Sequence, residues 1–217
     1  MKNCDMIQAI EQAGLVVIVR GVAREALIPL AEAMYAGGIR FLEITYSANG
    51  AVSDEETANR IRMLKTHFGD RMHIGAGTVI SAKQVELTAQ AGGEFIISPN
   101  TNGEVISLTK QLGLISMPGA YTPSEVEAAH EYGADFVKLF PVTALGPAYV
   151  KAIKAPLSHI KLLAVGGIDL SNIASYKKAG VSGFGIGSNI IDKAMLESGN
   201  FAGITALAAQ YVAAVEG

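Results

Sequence analysis

The chain has 217 residues, half of them hydrophobic, and a formal net charge of −3. A slightly acidic chain without a run of basic residues does not suit nucleic acid binding, and its longest apolar runs are far shorter than the roughly 20 residues of a membrane span. The single Cys4 excludes an internal disulfide framework, and the N-terminal residues lack the apolar core of a signal peptide. These features predict a cytoplasmic protein that has neither nucleic acid nor a membrane as a partner.

One unit repeats along the chain, an amphipathic helix that ends in glycine and is followed by a short apolar strand. The sequence predicts a helix over 5–14 and then strands separated by helical patterns, for example over 53–69 and 122–133. The predicted strands lie at 15–20, 41–46, 72–79, 94–100, 114–119, 136–141, 161–167 and 183–188.

This alternation predicts an α/β protein with a parallel sheet, and eight such units in a chain of this length indicate a (β/α)₈ TIM barrel. No linker or change of composition marks a second domain, so we expect a single barrel domain over 1–217 with an extra N-terminal helix. A doubly wound open sheet is the alternative fold, but the dinucleotide glycine fingerprint is missing after the first strand.

The sixth predicted strand carries a lysine at the centre of the apolar run FVKLFP. Side chains alternate along a strand, so Lys138 is expected to face the barrel interior with Phe136 and Phe140, while Val137 and Leu139 face the helices. A buried ammonium group must find a partner or lose its proton. Lys138 therefore either reaches water from the strand end, or forms a structural ion pair, or is a nucleophilic amine that forms a Schiff base with a ketone.

Three more polar residues are expected at the carboxyl ends of the strands, where active sites of such barrels lie. Glu43 would face inward from the second strand, as a general acid and base or as part of a salt bridge. Arg20 ends the first strand and suits a carboxylate or phosphate, unless it is only an exposed strand end. Thr78 ends the third strand and is the least specific of the three. Gly75 and Gly77 before it indicate a close approach by a ligand or by packing side chains.

Glycines also follow the last two predicted strands. Gly166 and Gly167 end the seventh strand, and Gly187 and Ser188 end the eighth. Loops after these strands of a TIM barrel commonly bind phosphate, through backbone N–H groups and a helix N-terminus. The alternative is that these glycines only allow tight turns. The sequence thus predicts a phosphate site that uses no lysine.

No metal site or cofactor is predicted. The four histidines, at 67, 73, 130 and 159, are scattered and lack the spacing of metal ligands. Cys4 lies at the start of the predicted N-terminal helix, away from the other candidate residues.

The ordered motifs LEIT, IGAGTV, ISPN, MPGA, VKLFP, VGGI and GIGS resemble those of the KDPG/KHG aldolases over nearly the whole chain. These are class I aldolases that act on 2-keto-3-deoxy-6-phosphogluconate and 4-hydroxy-2-oxoglutarate. The resemblance implies that Lys138 forms the Schiff base, that Glu43 is the acid and base, and that Thr78 holds the pyruvate carboxylate. It further implies that the phosphate is held by Gly166, Gly167, Gly187 and Ser188. The implied enzyme is a homotrimer that needs no metal and reversibly releases pyruvate and glyceraldehyde 3-phosphate.

Two features depart from the common pattern of that family. Many members carry an arginine four residues after the glutamate, where this chain has Ser47; Arg20 resembles an arginine that other branches carry and is a candidate to replace it. The seventh strand reads AVGG where enzymes acting on the gluconate often read PTGG. Both features resemble the branch that acts on the galactonate epimer, and the preferred configuration at C4 stays open.

Two other functions also remain open at this stage. A phosphosugar isomerase or epimerase on the same barrel would use Glu43 as a base and Lys138 only as an electrostatic stabiliser. A non-catalytic barrel that binds a phosphorylated metabolite would use neither residue chemically.

Overall fold

The computed structural model describes residues 3–217, over which helices and strands alternate. The helices are α1 (Asn3–Ala13), α2 (Arg24–Ala36), α3 (Asp54–Phe68), α4 (Ala82–Gln90), α5 (Gly103–Gln111), α6 (Pro123–Glu131), α7 (Gly146–Lys154), α8 (Ile173–Lys178), α9 (Lys193–Glu197) and α10 (Phe201–Glu216). The strands are β1 (Leu15–Val19), β2 (Phe41–Thr45), β3 (His73–Gly77), β4 (Phe95–Ile97), β5 (Ile115–Met117), β6 (Gly119–Ala120), β7 (Val137–Leu139), β8 (Leu162–Val165) and β9 (Gly183–Ile186).

All strands are parallel and form one sheet in the order β5-β4-β3-β2-β1-β9-β8-β7-β6. β5 and β6 are the two parts of the predicted fifth strand, separated by Pro118. β5 pairs with β4 and β6 pairs with β7, and the N–H of Lys138 donates to the carbonyl of Pro118 at 2.8 Å. One stretch of chain is therefore bonded on both sides, which closes the barrel and confirms the predicted (β/α)₈ architecture.

The buried apolar residues form two clusters, one between the sheet and the helices and the other inside the barrel. Val137 and Leu139 belong to the outer cluster and Phe136 to the inner one, as the alternation along the strand predicts. Full burial of a valine, leucine or phenylalanine side chain contributes about 1.5–3 kcal/mol to the stability of the fold. Met6 and Ile10 of α1 also belong to the inner cluster. The predicted N-terminal helix is thus confirmed, and it packs against the barrel interior.

Two helices within the predicted helical patterns begin with side-chain caps. At the start of α3 the Ser53 side chain accepts from the N–H of Glu56, and α6 begins with a capping box between Thr122 and Glu125. None of the helices within residues 3–217 combines the length and the apolar character required to cross a membrane.

Candidate active site

A cavity of about 820 Å³ lies at the carboxyl ends of the strands. The sequence-predicted residues that line it are Arg20, Thr78, Lys138, Gly166, Gly167, Gly187 and Ser188. They come from separate parts of the chain because parallel strands bring their carboxyl ends to one face of the barrel. Glu43 does not line the cavity and is buried.

Lys138 is 7% exposed, and its Nζ lies 4.8 Å from the centroid of the Phe140 ring. Burial lowers the pKa of Lys138 below its ordinary value; the Glu43 carboxylate opposes this shift, and the positive charge of Arg20 adds to it. The lowered pKa increases the fraction of neutral amine, which is the nucleophilic form.

Glu43 is 1% exposed. Among the described residues, neither carboxylate oxygen of Glu43 has a hydrogen-bond partner. Burial raises the pKa of Glu43, and the charges of Lys138 and Arg20 lower it less. A buried, unpartnered carboxyl group destabilises the fold unless its surroundings change when a ligand binds. A raised pKa means that the carboxyl group holds its proton more tightly than a free glutamate does, which suits a group that must both give and take a proton.

Two glycines of β3 make room for side chains rather than for a ligand. A Cβ at Gly77 would overlap the Glu43 carboxylate, and a Cβ at Gly75 would overlap the Phe95 ring. Of the two alternatives for these glycines, the structure therefore shows close packing by side chains. Gly77 is required because Glu43 occupies the space that a side chain would fill.

Arg20 and Thr78 lie together at the cavity wall, where Nη2 of Arg20 donates to Oγ1 of Thr78 at 3.0 Å. Thr78 has a φ of 57°, a left-handed conformation that is rare for a β-branched residue. Such a conformation costs about 1–3 kcal/mol and is found most often at functional sites. Because the Thr78 oxygen accepts from Arg20, its own hydroxyl proton is free to be donated to a ligand.

The glycine loop after β8 has its carbonyl oxygens occupied by side-chain donors. The pairs are Thr143 Oγ1 to Gly166 O at 3.2 Å, Asn172 Nδ2 to Gly167 O at 2.8 Å, and Asn189 Nδ2 to Ile168 O at 2.8 Å. The last of these bonds also joins the two glycine loops, because Asn189 follows Gly187 and Ser188.

Three N–H groups of the same loops, unlike the carbonyl oxygens, have no partner among the described residues. Within residues 3–217, no hydrogen bond joins the N–H of Gly167, Gly187 or Ser188 to another group of the chain. Gly166 and Gly167 have φ values of 96° and 74°, which favour glycine at both positions. Occupied carbonyls and free N–H groups make this part of the cavity suited to an anion.

The sequence analysis missed a second wall of the cavity. Ile191, Lys193, Leu196 and Glu197 line it from α9 and the preceding loop. α9 has five residues, too few to show a helical pattern in the sequence. The four-residue spacing of Lys193 and Glu197, which is typical of ion pairs on a helix, was the available signal.

Acidic, histidine and cysteine side chains do not form a metal site in the part of the chain that the structure describes, because no three of them converge.

Comparison with known proteins identifies the family of the chain. The family model for KDPG and KHG aldolase matches residues 6–207. A probable 2-dehydro-3-deoxy-6-phosphogalactonate aldolase of Rhizobium meliloti is 36% identical over 182 residues, which cover 83% of this chain and 83% of the relative. The relatives favour an aldolase over the isomerase and the non-catalytic barrel.

Solved structures agree with this assignment. The structure described as native KDPGal superposes with a TM-score of 0.83 at 33% identity, covering 93% of this chain and 94% of that chain. A KDPG aldolase from Legionella pneumophila, with pyruvate captured as a covalent carbinolamine, superposes with a TM-score of 0.80 at 29% identity, covering 94% and 96%. The chain therefore belongs to the KDPG and KHG aldolase family, and it is an aldolase.

Proposed function

We propose that the protein is a class I aldolase that cleaves a phosphorylated 2-keto-3-deoxy sugar acid into pyruvate and glyceraldehyde 3-phosphate. The observation that carries this proposal is a lysine that is 7% exposed, lines the cavity and has a lowered pKa. The amine of Lys138 attacks the C2 ketone of the substrate, and loss of water from the carbinolamine gives a protonated imine. This cation then accepts the electron pair released from the breaking bond.

Glu43 moves the protons in this scheme. It takes the proton of the C4 hydroxyl as the C3–C4 bond breaks and the aldehyde leaves. The resulting enamine regains a proton at C3, and water then releases pyruvate from Lys138. Neither carboxyl oxygen of Glu43 has a hydrogen-bond partner within residues 3–217, so both are available for these transfers, and its raised pKa helps the group to hold the proton that it takes. The charges of Glu43 and Lys138 each oppose the pKa shift that burial causes in the other, which supports this pairing of the two groups.

Arg20 and Thr78 hold the carboxylate next to the ketone. The Arg20 guanidinium keeps donors beyond the one used on Thr78, and the Thr78 hydroxyl adds another. This arrangement gives Arg20 the role of the arginine that the family often carries where this chain has Ser47. A fixed carboxylate orients the C2 carbon toward Lys138 Nζ.

The two glycine loops hold the phosphate at the other end of the substrate. The free N–H groups of Gly167, Gly187 and Ser188, together with Gly166, provide directional donors for the phosphate oxygens. A substrate without the phosphate leaves these donors to water and loses orienting energy, so 4-hydroxy-2-oxoglutarate is expected to be a poorer substrate.

We propose 2-keto-3-deoxy-6-phosphogalactonate as the preferred substrate. The 36% identical relative is named for this epimer, and a TM-score of 0.83 was obtained with a KDPGal structure, against 0.80 with the Legionella KDPG aldolase. Val165, in the AVGG motif, lines the cavity directly before Gly166 and Gly167, so it is the residue of this motif that we expect to contact the substrate. The test is kcat/KM for the two epimers under identical conditions, and a higher value for the gluconate would overturn this assignment.

The covalent mechanism is tested by trapping. Pyruvate and borohydride should add one reduced pyruvyl group to the chain, and peptide mapping should find it on Lys138. An adduct on another lysine would refute the role of Lys138, and the absence of any adduct would refute the Schiff base. EDTA should leave turnover unchanged, because the protonated imine replaces a metal as the electron acceptor.

We also propose that the chain assembles as a homotrimer. A designed protein cage built from symmetric oligomeric domains superposes on 94% of this chain, which supports an oligomer. Light scattering in solution would measure the mass, and a monomeric mass would contradict the proposal.

A further inference from the structure

Two charged side chains of α9 face the cavity at the side of the glycine loops. The cations among the lining residues are Arg20, Lys138 and Lys193. Arg20 is bonded to Thr78, and Lys138 is buried in β7. Lys193 is therefore the cation on the wall that follows Ser188. Among the described residues, Glu197 is the single carboxylate that lines the cavity.

The interaction between these two side chains is loose. Nζ of Lys193 lies 3.5 Å from Oε1 of Glu197, and the side chains are 86% and 66% exposed. The neighbouring Asp192 is occupied as the N-cap of α9, where it accepts from the N–H of Met195 at 2.8 Å. An exposed pair of this kind contributes little to stability, so an incoming anion can displace Glu197 from Lys193.

We propose that Lys193 and Glu197 set the affinity of the active site for the phosphate end of its substrate, with Lys193 attracting the phosphate and Glu197 limiting that attraction. This inference rests on the proposed function. The glycine loops supply directional hydrogen bonds, whereas Lys193 supplies a mobile point charge at the cavity mouth. Glu197 both competes for Lys193 and repels the dianion. The opposing effects allow the phosphorylated product to leave after each turnover.

Lys193→Ala tests the attraction. We expect kcat/KM for the phosphorylated substrate to fall about threefold to tenfold, mainly through a higher KM. This is the effect expected when one attraction between a lysine and a phosphate, weakened by the surrounding solvent, is lost. The loss should shrink as the salt concentration rises, because exposed charges are screened. kcat/KM for the dephosphorylated substrate should not change, and pyruvate trapping at Lys138 should remain complete.

Glu197→Gln tests whether the carboxylate of Glu197 weakens the binding of the phosphate. Removal of this carboxylate should lower KM for the phosphorylated substrate and strengthen inhibition by inorganic phosphate. An unchanged or higher KM would overturn the role of Glu197.

Lys178→Ala is the matched control, because Lys178 is an exposed lysine of α8 that does not line the cavity. The inference is overturned if Lys193→Ala and Lys178→Ala give the same kcat/KM while the wild type prefers the phosphorylated substrate. If the wild type shows no preference for the phosphate, the phosphate site of the proposed function fails as well. Circular dichroism of both variants establishes that the fold is intact.

Discussion

Two glutamates lie at opposite ends of this barrel, and their surroundings differ. Glu94, at the amino end of β4, accepts from Lys65 Nζ at 2.8 Å and from the N–H of Ile74 at 3.3 Å, and it lies 3.2 Å from His73 Nδ1. Glu43, whose side chain points to the other end, has no partner for either oxygen among the described residues.

The pKa shifts of the two groups have opposite directions. Burial acts to raise the pKa of Glu94, but the hydrogen bonds of His73 and Lys65 outweigh it, and the pKa is lowered. Burial raises the pKa of Glu43, and the charges of Lys138 and Arg20 do not cancel the shift. Burial alone does not decide the role of a carboxylate; the partners that it is given do. The partners of Glu94 suit a stabilising role at the amino end of the barrel, and the proposed function gives the unpartnered Glu43 a chemical role at the carboxyl end.

The largest expected effect comes from Lys138→Arg, which keeps the positive charge beside Glu43 but removes the nucleophilic amine. Turnover should fall to the background rate, and pyruvate with borohydride should leave no adduct. Activity and intact mass are the measurements. Lys65→Arg is the control at the other end of the barrel, since it keeps a donor for Glu94 and should retain most of the activity. Substantial turnover by the Lys138 variant would exclude the Schiff-base mechanism.

Glu43→Gln and Glu94→Gln sharpen the comparison of the two carboxyl groups. Loss of a general acid and base should reduce kcat about 10²–10⁴-fold in the Glu43 variant. Some Schiff base should still be trapped, because the amine remains. The Glu94 variant should retain kcat within about threefold, because Glu94 lies at the amino end of β4 and does not line the cavity. Comparable kcat losses in both variants would show that the effect on Glu43 is structural rather than chemical.

Gly77→Ala tests the space that β3 leaves for Glu43. The added Cβ overlaps the carboxylate, so Glu43 must move. We expect kcat to fall about tenfold to a hundredfold, because small displacements of a catalytic group are costly, and we expect a lower Tm. The double variant Gly77→Ala with Glu43→Ala should recover the Tm without recovering activity. A single variant with wild-type kcat and Tm would contradict this account of the glycine.

The pH dependence of stability gives the smallest effect. The pKa of Glu94 is lowered from 4.5 in the folded state, so its stabilising effect is present above pH 4.5 and is lost as the pH falls through the folded-state value. Glu94→Gln should therefore cost about 1–3 kcal/mol at neutral pH and less in acid.

Glu43 should behave in the opposite way. Its pKa is raised from 4.5, so the folded state binds the proton more tightly and becomes less stable as the pH rises above 4.5. The free energy of unfolding of Glu43→Gln, measured relative to the wild type, should therefore be higher at neutral pH than in acid. Urea unfolding of the wild type and both variants at pH 4 and 7 measures the two differences. Identical pH slopes for the two variants would contradict the opposite shifts.

The fold could be predicted because its signals are local and repeated. A glycine such as Gly133 ends a helix, and an apolar strand such as β7 follows it, so each unit can be recognised by itself. The division of the fifth strand at Pro118 required the structure, since proline lacks the N–H of a strand ladder but its carbonyl still accepts from Lys138. The packing of α1 against the barrel interior also depends on contacts far apart in sequence.

The positions of the candidate residues were predictable where strand ends determine them. Arg20, Thr78, Lys138 and the glycine pairs follow from the rule that barrel chemistry lies at carboxyl strand ends. Lys193 and Glu197 were missed because they belong to a short helix whose place over the cavity depends on tertiary packing. The requirement for glycine at position 77 could not be predicted from the sequence either, because the side chain that leaves no room for a Cβ there is Glu43 of another strand.

Closure of the sheet has a mechanical consequence for Lys138 and Glu43. Going round the barrel from β2 to β7, the path crosses β3, β4 and the joined β5 and β6 in one direction, and β1, β9 and β8 in the other. The two residues therefore lie on opposite strands, and both routes between them are continuous hydrogen-bonded ladders. Separating the two residues requires breaking hydrogen bonds in both ladders. We therefore expect the midpoint temperature of heat inactivation to equal the midpoint temperature of unfolding, rather than to lie below it.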